Sequence, residues 1–266
     1  MHTSRQKLSE IKRIVVKVGT STLTYENGKL NLNRIDRLVR VLSDLKNRGL
    51  EVILVSSGAI GVGVGKLGLK HKPTITMEKQ AAAAVGQCEL MYLYDKLFSE
   101  YGYMTAQVLL TKDVIEHNDR KQNVVNTFIT LLKMGVVPVV NENDAVSVEE
   151  IEFGDNDTLS AVVGKLTDSE LLVILTDIDG LYNKNPREFY DAVLIQEVDE
   201  INDSIKEIAG GAGSSRGTGG MITKVMAAEM AAKAGIKTVV INGSDPYVLY
   251  DLFEGKQVGT LFKENL

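Results

Sequence analysis

The chain has 266 residues, 44% hydrophobic and 24% charged, with 30 Lys plus Arg against 35 Asp plus Glu for a formal net charge of -5. That length supports a large core and the ordinary composition excludes a disordered or fibrous chain, while the acidic balance without a Lys/Arg cluster excludes a nucleic-acid surface. The N-terminus MHTSRQKLSE lacks an apolar signal stretch and no run approaches the ~20 apolar residues of a membrane span, so a cytoplasmic chain with small-molecule partners is expected.

Arg13–Val18 is the first strand-like run, and Lys17-Val18-Gly19-Thr20-Ser21 closes it with a cation, a small flexible backbone and two hydroxyls. Two readings fit: an ordinary turn beside a solvated lysine, or backbone N–H groups that cradle phosphate next to an ammonium. Ile35, Leu38, Val39, Leu42 and Leu45 then share one helical face, with Gly49 where a left-handed cap is expected. A second run at 51–55 leads into Ser56-Ser57-Gly58-Ala59-Ile60-Gly61, then Gly63 and Gly65, a glycine density expected to let ligand and backbone approach closely. Gly63, Gly65 and Gly68 satisfy G-x-G-x-x-G, but too far beyond the strand and without the acidic residue of a dinucleotide site, and Lys66-Leu67 breaks the Walker pattern.

Residues 78–101 read as a helix stopped by Gly102, in which 81–84 suit close helix packing and the one cysteine, Cys88, is expected to be an inert, buried small hydrophobe. Further apolar runs at 104–109, 136–140, 171–175 and 237–241 alternate with helical segments, of which 119–134 stops at Gly135 and 221–234 at Gly235. Runs rich in Val, Ile and Leu without alternation are strands buried on both faces, so the fold class is α/β, an open, mainly parallel sheet with helices on each side. No Pro- or Ser-rich linker divides the chain; 1–266 is expected to be one domain, with one set of polar loops up to 168 and a glycine-rich set in 169–266.

Ligands of such sheets gather at the carboxyl ends of the strands. There the fourth run gives Asn141-Glu142-Asn143-Asp144, and Phe153-Gly154-Asp155-Asn156-Asp157 follows. Asp155 or Asp157 fits a plain helix N-cap, yet so many amides and carboxylates exceed what capping needs. Such groups accept hydrogen bonds from an α-ammonium, and an Asp between two lysines holds both cations. The fifth run ends in Thr176-Asp177-Ile178-Asp179-Gly180-Leu181-Tyr182, and a glycine-rich stretch, 210–220, enters a helix at Met221-Ile222-Thr223-Lys224. A lysine in a first turn opposes the helix dipole, so an anion such as a nucleotide phosphate is expected beside Lys224. His2, His71 and His117 lack metal-ligand spacing and are expected at the surface, with no protein metal site.

Taken in order, VVKVGTSTLT, VSSGAIGVG, PVVNENDAV, FGDNDTLSA, LTDIDGLY and GTGGMITK resemble the amino-acid kinase family from about residue 12 to the C-terminus, and within it the members that phosphorylate glutamate. The resemblance implies an αβα three-layer sandwich of the carbamate kinase-like type, with the amino acid on 1–168 and ATP on 169–266. It implies phosphorylation of the L-glutamate γ-carboxylate by ATP, the first step of proline synthesis, with Mg2+ held mainly by the nucleotide phosphates. By family pattern Ser57, Asp144 and Asn156 contact glutamate, while Lys17, Thr176, Asp177, Thr218, Gly219, Gly220, Met221, Ile222, Thr223 and Lys224 line the nucleotide. Lys17 and Lys224 flank the transferred phosphoryl and Asp157 organises them, making these three the catalytic set. Feedback by proline at the glutamate loops and a homo-oligomeric state, dimer or tetramer, also follow from the resemblance. Many bacterial relatives carry an extra C-terminal domain resembling RNA-modification modules; this sequence stops at Leu266 without it, and a short form with complete catalytic half-sites is expected.

Overall fold

The computed structural model describes residues 5, 8, 10–25, 29–146, 155–210 and 220–264. In chain order the elements are β1 (Arg13–Val18), α1 (Thr20–Leu23), α2 (Leu32–Asn47), β2 (Glu51–Ser56), α3 (Ala59–Leu67), α4 (Thr76–Ser99), β3 (Thr105–Leu110), α5 (Lys112–Glu116), α6 (Asn118–Lys133) and β4 (Val137–Glu142). There follow α7 (Asn156–Leu166), β5 (Leu171–Thr176), β6 (Glu197–Val198), α8 (Asp203–Gly210), α9 (Met221–Lys233), β7 (Lys237–Asn242), α10 (Val248–Phe253) and β8 (Thr260–Phe262). The strands form one eight-stranded sheet in the order β3-β4-β2-β1-β5-β7-β8-β6. The first four strands of the chain thus occupy one side of the sheet and the last four the other, meeting where β1 pairs with β5. Pairing is parallel except between β7 and β8.

Alternation along each central strand builds two cores. Ile14, Val16 and Val18 of β1, with Leu171, Val173 and Leu175 of β5, face the layer that contains α2, α4 and α10. Val15, Leu172 and Ile174 face the opposite layer, containing α6, α7 and α9. Both faces are covered, which is why these strands carry continuous apolar runs. Pro138 lies inside an inner strand, but the β2–β4 ladder begins only at Leu54 and Val139, so the missing N–H costs that ladder nothing. Gly49, Gly102, Gly135 and Gly235 all have positive φ and end their helices as the sequence led one to expect.

Two expectations are corrected. The glycine-rich segment after β2 is mostly helix α3, and Gly63 serves helix packing rather than a ligand: a Cβ there would collide with the Ala82 carbonyl of α4, and one on Gly86 with the Ala59 carbonyl of α3. Ala82 and Ala83 are buried at this contact, whereas Ala81 and Ala84 face outward, so the close packing expected of 81–84 holds for half of the run. Cys88, expected to be buried, is exposed on α4. His71 and His117 are exposed, and His2 lies outside the described residues. Among the described residues no helix is long and apolar enough to cross a membrane.

Candidate active site

The parallel strands aim their carboxyl ends at one edge, where helix N-termini from both layers meet them. Lys17 lies one residue before the end of β1, on the same face as Val15, and that face is covered by α7 and α9. Its Nζ lies 2.6 Å from Asp157 Oδ1, and Lys224 Nζ lies 3.0 Å from Asp157 Oδ2. Asp157 belongs to the first turn of α7 and Lys224 to the first turn of α9. Thr223 Oγ1 lies 2.9 Å from the same Asp157 Oδ2 and 2.9 Å from the Gly220 carbonyl, two acceptors for its single proton. The N-cap of α7 is Asp155, whose Oδ1 accepts from Thr158 N–H at 2.8 Å; Asp157 is therefore released from capping.

Lys17, Asp157 and Lys224 are only 7%, 1% and 7% exposed, so the reading of Lys17 as a solvated turn lysine is excluded. The three side chains sum to one positive charge out of bulk water. Burial works to raise the Asp157 pKa, but the fields and hydrogen bonds of the two ammonium groups outweigh it and hold the carboxyl at about 2. Asp157 is thus a carboxylate at neutral pH that holds both cations near one point and leaves their remaining donors for an anion.

On the β2 and β4 side, Gly58 caps α3 with φ +97°, a conformation that glycine adopts freely and that turns the chain directly after Ser57. Asn156 Nδ2 bonds to the Ser56 carbonyl at 3.3 Å, Ser57 Oγ at 3.0 Å and Asn141 Oδ1 at 2.9 Å. Asn141 Nδ2 in turn donates to Gln87 Oε1 of α4 at 3.0 Å. Ser57 and Asn156, named from the sequence, are therefore in direct contact, whereas Asp144 sits half-buried in the turn that follows β4. Asn141 was visible in the sequence only as part of a polar cluster, and Gln87 only as a neighbour of Cys88.

On the β5 side, a cleft of about 580 Å³, open water included, is lined by Thr176, Asp177, Gly220, Met221 and Lys224 with an apolar wall of Ile178, Leu181, Pro186 and Ile208. Strand β8 fixes the wall: Thr260 Oγ1 accepts from Leu181 N–H at 2.8 Å and donates to the Ile195 carbonyl at 2.6 Å. Asp177 pairs with Arg187 at 3.2 Å, and Asp179 is held by Asn242 at 2.8 Å and Tyr182 at 2.9 Å. Ile222 is half-buried beside Met221, packed against the core under this cleft. Thr218 and Gly219, like Phe153 and Gly154, lie outside the described residues. Among the described residues no three His, Cys, Asp or Glu side chains are grouped to hold a metal ion. Ile178 and Leu181 of the apolar wall lie in the loop after the fifth run, whereas Pro186 and Ile208 escaped sequence reading because they are scattered; the turn signal at Asn185-Pro186 was a local mark for the former.

The sequence model of the amino acid kinase family matches residues 12–242. The chain is 57% identical over 262 residues to glutamate 5-kinase of Clostridium perfringens (strain 13 / Type A), covering 97% of each. It is 53% identical over 262 residues to glutamate 5-kinase of Listeria innocua serovar 6a, covering 97% of this chain and 95% of that one. Among solved structures, carbamate kinase from Giardia lamblia bound to AMP-PNP superposes with a TM-score of 0.68 at 16% identity, covering 97% of this chain and 100% of that one. At that identity the likeness establishes the three-layer fold.

Proposed function

Since the chain belongs to the amino acid kinase family, we propose that it transfers the γ-phosphoryl group of ATP to the side-chain carboxylate of L-glutamate, giving γ-glutamyl 5-phosphate and ADP, the first step of proline synthesis. The observation that carries this reading is the buried Lys17–Asp157–Lys224 cluster between a polar amide pocket and an apolar-walled cleft. A glutamate γ-carboxylate is ionised at neutral pH and needs no general base. Its oxygen attacks the γ-phosphorus in line; the new O–P bond forms as the bond to the β,γ-bridging oxygen breaks, and the electron pair leaves on ADP. Two anions must meet, so catalysis rests on positioning and on charge stabilisation. An ammonium about 4 Å from a phosphoryl oxygen is worth on the order of 4 kcal/mol at an effective dielectric near 20, before desolvation is subtracted.

In this reading the first half, 1–168, takes glutamate through Ser57, Asp144 and Asn156, and the second, 169–266, takes ATP through Thr176, Asp177 and residues 218–224. Lys17 and Lys224 flank the migrating phosphoryl. Magnesium arrives with ATP, coordinated chiefly by its phosphate oxygens and water. The reaction runs in the cytoplasm, and proline, the end product of the pathway, competes at the glutamate loops; inhibition that stays non-competitive at every glutamate concentration would contradict that overlap. The outward face of α4 exposes Met77, Ala81, Ala84, Cys88 and Tyr92 as an apolar stripe suited to a second copy of the chain, which sedimentation velocity would detect as a dimer or tetramer.

The test is a panel of acceptors, glutamate, aspartate, N-acetylglutamate, carbamate and UMP, with ATP and magnesium, any acyl phosphate being trapped as its hydroxamate. Glutamate is expected to give hydroxamate and ADP in equal amounts. Transfer confined to another acceptor would overturn the assignment.

A further inference from the structure

Helix α4 reaches the amide pocket from outside the polar loops, at two places two turns apart on one face. Tyr94 OH meets Ser56 Oγ at 2.9 Å, and Gln87 Oε1 accepts from Asn141 at 3.0 Å. Gln87 follows Gly86, whose missing Cβ lets α4 touch α3, the helix that starts just after Ser57 and Gly58. The position of Gln87 relative to the pocket is thus set by backbone contact rather than by a flexible side chain.

The chain of amides makes sense in one direction only. The Ser56 main-chain carbonyl can only accept, so the Asn156 atom that faces it is Nδ2. The Asn141 atom that meets Nδ2 must then be Oδ1, which turns Asn141 Nδ2 towards Gln87 and requires an oxygen there. Asn141 is 2% exposed, so water does not replace a lost partner at low cost. With Asn156 Nδ2 committed to protein acceptors, its Oδ1 is the atom left for a ligand. We infer that Gln87 is a positioning residue: it supplies the acceptor that completes the Asn141–Asn156 chain in the polarity set by the Ser56 carbonyl, so that Asn156 is held offering a carbonyl oxygen to the α-ammonium group of the amino-acid substrate. Gln87 touches neither substrate; it acts through Asn141.

This inference rests on the glutamate reading above, and the experiment separates the two. Gln87→Met removes the acceptor at similar volume, and Gln87→Glu keeps acceptor oxygens at the same place. In Gln87→Met the KM for glutamate is expected to rise about tenfold, the loss of roughly one buried hydrogen bond, while kcat and the KM for ATP stay within about twofold. The preference for glutamate over glutarate, which lacks the ammonium, shrinks by a similar factor, and Gln87→Glu restores both parameters to within about twofold of wild type. An unchanged KM for glutamate in Gln87→Met, a parallel rise in both KM values, or failure of Gln87→Glu to restore the preference would each overturn the inference. A wild-type enzyme with no glutamate-dependent ADP formation would instead refute the glutamate reading itself, and this inference with it.

Discussion

On the side of the cleft proposed for the amino acid, Asn156, Asn141, Ser57 and Gln87 are linked by hydrogen bonds, so the Asn141 and Asn156 amides have their direction set before a substrate arrives. On the side proposed for the nucleotide, Asp177 is held by an exposed pair with Arg187 and a long bond from Thr176, and the wall mixes apolar side chains with the cations Lys184, Arg187 and Lys224. In the proposed reading, the contrast follows from what each side would have to hold. A small zwitterion offers little area, so discrimination must come from hydrogen bonds of fixed polarity; a nucleotide offers a large base and several charges, so shape and a few strong cations suffice. Lys17, Asp157 and Lys224 stand where the two regimes meet, one cation from the first half of the chain and one from the second.

The comparison breaks most sharply at that meeting point. Lys17→Met and Lys224→Met are each expected to lower kcat by ~10² or more, with a folded protein by circular dichroism; near-normal turnover in either variant, measured by coupled ADP release, would remove the charge-stabilising role. The amino-acid side depends on backbone contact between α3 and α4, so Gly86→Ala should cost about 3 kcal/mol of stability through overpacking, read by urea titration. An equally large loss from Gly210→Ala, where a Cβ meets nothing within 4 Å, would deny that distinction.

Smaller effects sharpen the same picture. Asp157 has a folded pKa of about 2 against an ordinary 3.8, so its contribution is present above the unfolded value and is lost as pH falls through the folded one. The stability gap between wild type and Asp157→Asn, on the order of 2 kcal/mol at neutral pH, should close as pH falls from about 4 to about 2. A gap that persists to the acid end would mean that the carboxylate does not hold the two cations. Arg187→Ala should change the KM for ATP by about threefold at most, because an exposed ion pair contributes about 0–1 kcal/mol; a loss of tenfold or more would show that the nucleotide side also relies on fixed polar geometry.

The sequence made the frame readable because its signals are local. β1 runs from Arg13 to Val18 as its apolar run indicates, and glycines at 49, 102, 135 and 235 stop their helices with positive φ. The facing of Lys17 towards α7 and α9 follows from strand alternation once those helices are placed. Helix α3 was hidden because Gly61, Gly63 and Gly65 depress helix propensity, and the reason for Gly63 lies across the helix interface at Ala82. Strands β6 and β8 are too short to leave a periodic trace, yet β8 anchors the cleft wall through Thr260. The bond from Asn141 to Gln87 spans 54 residues, and nothing in the local pattern of either helix or strand announces it. Cys88 is exposed because it shares the outward face of α4 with Ala84 and Tyr92, a placement that composition alone does not fix.

A crystal structure with glutamate and a non-hydrolysable ATP analogue, or with ADP and a planar phosphoryl mimic, tests the central claim most directly. The transferred group should lie between Lys17 and Lys224, with both Nζ atoms within about 4 Å of its oxygens and the glutamate γ-carboxylate in line on the Asn156 side. A phosphoryl group bound in the cleft but away from either lysine would contradict the account.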